Sequence, residues 1–74
     1  MDVYLVSHEY DLPDGRVLPV KLVHHGHDRY CKLTELRQQL IDRRQDLGLT
    51  WHVIQTICVD MTAAVEEQMA GVQE

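Results

Sequence analysis

The first third of the chain alternates β-branched or aromatic residues with other residues in two separate runs. The run "VYLVSHEY" covers residues 3–10, and the run "RVLPVKLV" covers residues 16–23. Between them, the segment "DLPDG" combines a proline of fixed φ with Asp and Gly, which tolerate positive φ. Two alternating runs around such a segment predict a β-hairpin over about residues 3–23.

The apolar positions of the second run share one face of the predicted strand: Leu18, Val20 and Leu22. Alternation leaves two pairs in the first run that could meet this face: Val3 with Leu5, or Tyr4 with Val6. Pro19 cannot donate a hydrogen bond between strands, so it predicts an edge strand or a bulge at that position. An isolated hairpin is unstable in water, and we expect it to pack on the segments that follow.

A first helix is predicted over about residues 34–47, because apolar residues there recur at spacings typical of a helix. Thr34 is the predicted N-cap, and Gly48 is the residue expected to end the helix. The apolar face carries Leu36, Leu40, Ile41 and Leu47.

A second helix is predicted over about residues 50–70, capped by Thr50 and ended by Gly71. Its apolar positions recur every three or four residues: Ile54, Ile57, Cys58, Met61, Val65 and Met69. The sequence therefore predicts an α+β fold in one domain over residues 1–74. In this fold, an N-terminal β-hairpin packs on two C-terminal α-helices.

The length of 74 residues allows one small core, which is marginal unless a disulfide, a metal or a partner assists. The start "MDVYLVSHEY" carries Asp2 where a signal peptide would carry basic residues, and no run is long enough to span a membrane. We therefore expect a cytoplasmic protein in which Cys31 and Cys58 stay reduced.

The net charge of −5 is unevenly distributed along the chain. All seven basic residues lie within residues 16–44, whereas residues 1–15 and 45–74 contain acidic residues and no Lys or Arg. Phosphate neutralisation by cations supplies much of the affinity of a nucleic-acid-binding protein. Direct nucleic-acid binding is therefore not expected.

The segment "LVHHGHDRYCKL" holds the strongest candidates for a metal site: His24, His25, His27 and Cys31. A zinc site needs three or four ligands that converge, usually as two spaced pairs. Adjacent histidines in an extended segment point to opposite faces, and the rest of the chain offers no second pair. The pattern favours a polar connector between strand and helix, so we expect no metal and no cofactor.

Catalytic residues are equally hard to assign. Asp42 and Asp46 are spaced to share one helix face, but Arg43 and Arg44 beside them are typical of an ordinary solvated surface. Cys31 could pair with a histidine as a nucleophile, but no third residue lies at a spacing typical of a group that orients such a pair. We expect no enzymatic activity.

A helix-turn-helix DNA-binding protein is the alternative interpretation. "LGLT" matches the common opening of such domains, and Ile54, Cys58 and Val65 fall where they place core residues. The turn position, however, is Val59, and the segment that would read DNA contains two glutamates and no cation. The charge distribution favours a protein-binding module instead.

The hairpin offers the first candidate interface, because exposed strand edges accept partner strands and tyrosines are common interface anchors. The candidate partner-binding residues are Tyr4, Val6, Ser7 and His8 on the first strand, with Arg43 and Arg44 as a charge contact. Ordinary packing on the helices explains Tyr4 equally well.

The opening "MDVYLVSHEYDLPDG" and the length of the chain resemble the small transcription regulators of Xanthomonas lytic phages that bind host RNA polymerase. The resemblance implies action in the host bacterial cytoplasm, by contact with the N-terminal region of the β′ subunit and with the β flap. It also implies inhibition of σ-dependent initiation and antitermination during elongation.

Overall fold

The computed structural model describes residues 3–71 and confirms the α+β fold. Two strands precede three helices: β1 (Tyr4–Asp11), β2 (Val17–His24), α1 (Arg29–Asp42), α2 (Arg44–Leu47) and α3 (Trp51–Ala70). The two strands form an antiparallel hairpin, α1 packs beside β2, and α3 packs against both β1 and α1. Within the described residues, the predicted pair of helices is thus a set of three.

The hairpin pairs in one continuous register, from Tyr4 opposite His24 to Asp11 opposite Val17. The backbone N–H of Leu12 donates to the carbonyl of Arg16 at 2.8 Å and closes the turn. Gly15 adopts a φ of 89° within this turn, which agrees with the predicted tolerance of positive φ.

The face of the hairpin toward the helices carries Val6, Leu18, Val20 and Leu22, all of them buried. The sequence allowed either Val3 with Leu5 or Tyr4 with Val6 to share the apolar face of the second strand. In the structure it is Tyr4 with Val6, whereas Leu5 is exposed. Pro19 lies opposite Glu9 without a bulge, because the hairpin leaves the outer side of β2 unpaired.

The first helix begins at Arg29, so the prediction of Thr34 as its N-cap was wrong. The first helical hydrogen bond runs from the N–H of Lys32 to the carbonyl of Asp28 at 3.0 Å. Thr34 lies inside the helix, where its hydroxyl donates to the carbonyl of Tyr30 at 2.9 Å. The connector before the helix is short because Gly26, with a φ of 86°, turns the chain directly after β2.

The predicted helix over residues 34–47 is interrupted at Arg43, and its last turn is the separate helix α2. Gly48 ends α2 with a left-handed φ of 66°, as predicted. The N–H of Leu49 bonds the carbonyl of Arg44, and that of Gly48 bonds Gln45, which is the Schellman pattern. Leu49 is buried, so the loop is fixed by the core as well as by its hydrogen bonds.

Helix α3 matches its prediction closely. The hydroxyl of Thr50 accepts a hydrogen bond from the N–H of Val53 at 3.2 Å, and Gly71 follows the last helical residue. The buried face carries Ile54, Ile57, Met61 and Val65, with Cys58 and Met69 half-buried at its borders. The helix is continuous from Trp51 to Ala70, so the turn that a helix-turn-helix would need at Val59 is not formed.

Candidate protein-binding surface

The hairpin residues predicted to contact a partner do not share one surface. The Val6 side chain is only 6% exposed and belongs to the core. Tyr4 is half-buried and stacks on His24, with 5.3 Å between the ring centroids. Ser7 lies on the outer face of the hairpin, whereas His8 is exposed on the face that turns toward the helices. Of these four residues, Ser7 and His8 are exposed, Tyr4 is half-buried and Val6 is buried.

The predicted charge contact lies at the opposite end of the hairpin from Tyr4. Arg43 is exposed between α1 and α2, where it lines a hollow together with Leu18 near the hairpin turn. The guanidinium of Arg44 stacks over the ring of Trp51, 4.7 Å from the ring centroid. The structure thus separates the predicted hairpin contacts from the predicted arginine contacts.

His24 is fully buried and uses both ring nitrogens within the protein. The N–H of Gly26 donates to its Nδ1 at 3.0 Å, so the ring proton lies on Nε2. Nε2 lies 3.2 Å from Oε1 of Gln68 and donates to it. Both nitrogens are occupied by these structural hydrogen bonds.

The other members of the histidine segment are exposed and do not converge on a common point. The ring centroids of His25 and His27 are 6.3 Å apart. The carboxylate of Asp28 accepts the backbone N–H of His25 at 2.7 Å, and this hydrogen bond lowers the pKa of Asp28. Among residues 3–71, no group of three or more His, Cys, Asp or Glu side chains is placed to hold a metal ion.

A groove with a volume of about 490 Å³ lies between α1 and α3. We call it the α1–α3 groove, and its lining residues are Arg37, Trp51, Ile54, Gln55, Cys58, Val59, Thr62 and Ala63. All but one come from α3, where they form a stripe beside the buried face. The groove is therefore held by a helix that the core fixes firmly in place.

Two large apolar side chains in this groove remain exposed. Trp51 is 55% exposed and Val59 is 57% exposed, although both belong to a well-packed helix. Trp is the residue most enriched among the energetic centres of protein interfaces, since it buries a large area at low conformational cost. Arg37 at the rim adds a cation that can pair with an acidic group of a partner. The groove thus combines two exposed apolar side chains with a cation.

The thiol of Cys58 in the groove is not suited to nucleophilic chemistry. Burial raises the pKa of this thiol, and the nearby charge of Arg37 offsets only part of that effect. A raised pKa keeps the thiol protonated near neutral pH, and the thiolate is the reactive form. Cys58 therefore acts in the groove as a small apolar residue.

On the other side of α3, Tyr10 of β1 lies close to Asp60. Desolvation by burial, together with the negative charge of Asp60, raises the pKa of Tyr10 to about 12. Asp60 favours the protonated hydroxyl of Tyr10 by its charge and as an acceptor for the phenolic proton, although within the described residues the buried hydroxyl has no partner at full hydrogen-bond distance.

Sequence reasoning did not identify the α1–α3 groove, although one signal for it was present. Once the core positions of α3 are assigned, Trp51, Val59 and Ala63 remain as apolar residues at helical spacing on a second face. A helix with two apolar faces indicates a second contact. Trp51 was hard to recognise because it stands in the first turn, next to the N-cap.

No protein-family model, no curated protein and no solved structure matches this chain. Within residues 3–71, no helix combines the length and the apolar character that crossing a bilayer requires.

Proposed function

We propose that this protein is a protein-binding regulator of transcription whose α1–α3 groove receives a segment of its partner. The observation that carries the proposal is the exposure of Trp51 and Val59 in one groove on the longest helix. Exposed apolar residues gathered in a concave surface are typical of interaction sites. The stacked Arg44 holds the indole of Trp51 in place, which lowers the entropy lost on binding.

The charges of α3 support a protein partner over nucleic acid. The helix contains Asp60, Glu66 and Glu67 and has no Lys or Arg. A helix inserted into a DNA groove needs cations near the phosphates, and the unbroken α3 does not provide a recognition helix of its own. We therefore do not propose the helix-turn-helix alternative.

The finer proposal concerns the partner, which is bacterial RNA polymerase. Its support is the resemblance of the opening segment and chain length to the polymerase-binding regulators of Xanthomonas phages. On this proposal, the protein contacts the β′ N-terminal region and the β flap. It thereby inhibits σ-dependent initiation and promotes antitermination.

The test is binding to purified bacterial RNA polymerase core enzyme, monitored by the fluorescence of 5-hydroxytryptophan incorporated at the position of the chain's single tryptophan, Trp51, and excited at wavelengths that the polymerase's own tryptophans do not absorb. Burial of this exposed indole in an interface should change its emission. Transcription assays with and without σ then measure initiation, and a template with a terminator measures readthrough. Nonspecific duplex DNA should show no salt-dependent binding.

Two matched variants localise the contact. Val59→Glu places a charge in the groove and should weaken polymerase binding by about tenfold or more. Thr56→Glu introduces the same charge at an exposed position of the same helix that does not line the groove, and it should bind normally. Equal binding by both variants would remove the groove from the interface. Absence of polymerase binding by the unaltered protein would refute the proposed partner.

A further inference from the structure

The hydrogen bonds of the hairpin define which backbone groups of each strand point outward. Leu12 and Arg16 form a hydrogen-bonded pair, and such pairs alternate with pairs whose backbone groups point away from each other. In the observed register, Pro19 and Glu9 form a pair whose backbone groups point away from each other, so the missing N–H of Pro19 breaks no bond within the hairpin. Leu5 and Val23 form another such pair, so the carbonyl of Leu5 points outward. The side-chain amide of Gln68 donates to this carbonyl at 3.3 Å.

The outer edge of β2 therefore presents free backbone groups. Lys21 and Val23 belong to pairs that are not hydrogen-bonded to each other, so their N–H and C=O groups point outward. The carbonyl of Pro19 points outward for the same reason. In residues 3–71 the sheet has two strands, so no third strand pairs with this edge. Free edge groups of this kind are the usual site at which an extended peptide adds to a sheet.

A cleft runs alongside this edge, between β2 and α1. It consists of two adjoining hollows of about 160 Å³ each, which share Lys21, Leu36 and Gln39. We call it the β2–α1 cleft, and its lining comprises residues 18–23 of the strand, with Lys32, Glu35, Leu36, Gln39 and Leu40 of α1 and Arg43 directly after that helix.

The charge of the β2–α1 cleft is opposite to that of the whole protein. Lys21, Lys32 and Arg43 line it, against the single carboxylate of Glu35. Lys32 already pairs with Glu35 at 3.3 Å, which leaves Lys21 and Arg43 as the two cations without an opposing charge in the cleft. The net charge of the chain is −5, so this local excess of positive charge is a distinct feature.

The outer edge of β1 differs in both respects. It carries the acidic side chains of Glu9 and Asp11, and the outward carbonyl of Leu5 already accepts the amide of Gln68. The two edges of the hairpin are thus chemically distinct, and only the edge of β2 combines free backbone groups with cations.

We propose that the β2–α1 cleft binds an extended acidic peptide segment of a partner protein, which adds to β2 as a third strand. The backbone of the peptide bonds the outward groups of Lys21 and Val23, and its carboxylates approach Lys21 and Arg43. A second copy of this chain is a poorer occupant, because two molecules of net charge −5 repel each other. This site is separate from the α1–α3 groove and does not depend on the identity of the partner proposed there.

The experiment uses two synthetic eight-residue peptides, one alternating Thr with Glu and the other alternating Thr with Lys. Each is titrated into isotopically labelled protein, and the backbone amides are followed by NMR. We expect the acidic peptide to bind, with its largest shifts at the amides of Lys21 and Val23, and to weaken as salt increases. The basic peptide should not bind. An acidic peptide N-methylated at alternate residues tests the backbone pairing, and it should bind at least about tenfold more weakly.

Charge variants separate the cleft from the rest of the surface. Lys21→Glu and Arg43→Glu should each weaken the acidic peptide by about fivefold or more. Gln39→Glu, which adds a carboxylate inside the cleft, should weaken it as well. Its neighbour on the sequence, Gln38→Glu, adds the same charge at an exposed position outside the cleft and should bind within about twofold of the unaltered protein.

Three results would overturn the proposal. One is the absence of any shift with the acidic peptide, and another is equal binding of the two peptides. The third is a set of shifts confined to the α1–α3 groove, which would assign acidic peptides to that site. Sedimentation at increasing protein concentration tests the remaining occupant, and a dimer that Lys21→Glu dissociates would mean that a second copy fills the cleft instead.

Discussion

His24 and Gln68, 44 positions apart in the sequence, are joined by a hydrogen bond of 3.2 Å between Nε2 and Oε1. The bond belongs to a continuous chain, because Gly26 donates to the other nitrogen of His24 and the Gln68 amide donates to the carbonyl of Leu5. These partners fix the ring tautomer and the orientation of the amide together. One side chain of α3 thus ties the end of β2 to the start of β1.

Replacement of Gln68 by alanine should destabilise the protein measurably. The variant leaves the buried Nε2–H of His24 without a partner, and an unsatisfied buried donor costs about 1–3 kcal/mol. Chemical denaturation followed by circular dichroism measures the change in the free energy of unfolding. Glu67→Ala, at the exposed neighbouring position, is the control and should stay within about 0.5 kcal/mol of the unaltered protein. Equal stability of the two variants would show that the hydrogen-bond chain contributes little.

Two glycines allow a direct test of how the helices end. Gly48→Ala should cost about 1 kcal/mol, because φ at this position is 66° and a Cβ is strained there even though no atom lies within 4 Å of it. Gly71 has a φ of −82°, so Gly71→Ala should be neutral or slightly stabilising. Thermal unfolding of both variants measures the difference. A Gly48→Ala variant as stable as Gly71→Ala would argue against the left-handed conformation at residue 48.

The elements that the sequence predicted well are those with strong local signals. The hairpin follows from alternation around "DLPDG", and the start of α3 follows from Thr50, whose hydroxyl does cap the helix. The left-handed end of α2 follows from Gly48, since glycine adopts that conformation without strain. In each case, the residue that determines the turn or helix end lies within that turn or helix end, so no distant contact is needed to predict it.

The beginning of α1 was predicted wrongly because a weak local signal competed with tertiary contacts. Thr34 has the chemistry of an N-cap, but residues 29–33 contain no Gly or Pro and can continue the helix toward the N-terminus. Arg29 donates to the carbonyl of Gly26, and the Tyr30 hydroxyl donates to Glu66 of α3. These contacts stabilise the additional first turn of α1. Because Glu66 comes close to this turn only in the folded structure, the sequence did not indicate the contact.

The candidate surfaces were harder to predict than the fold. The burial of Val6 follows from strand alternation, but the sequence could not decide which pair on the first strand faces the helices. The β2–α1 cleft depends on the position of α1 beside β2, which no spacing in the sequence encodes. The α1–α3 groove left a partial signal, the second apolar face of α3.

Opposite faces of β1 should respond differently to the same substitution. Val6→Asp buries a carboxylate in the core and should unfold the protein or cost more than about 3 kcal/mol. Leu5→Asp, one residue earlier, changes a side chain that is 57% exposed and should cost less than about 1 kcal/mol. Denaturation curves of the two variants decide the assignment of the faces. The opposite order of stability would mean that the register of the hairpin is shifted by one residue.

Tyr10 should make stability depend on alkaline pH. Its pKa of about 12 in the folded protein, raised by burial and by the charge of Asp60, lies above the ordinary value of 10.0 for a tyrosine. The folded state therefore keeps its phenolic proton where the unfolded state has lost it. This contribution to stability is complete below about pH 10 and declines as the pH rises toward 12. Tyr10→Phe removes the titrating group, so the stability of the unaltered protein relative to this variant should fall between about pH 10 and pH 12. Asp60→Asn removes the neighbouring charge and should lower the pKa of Tyr10, measured by the ultraviolet absorbance of tyrosinate. A stability difference between the unaltered protein and Tyr10→Phe that stays constant across this range would show that Tyr10 titrates alike in the folded and unfolded states.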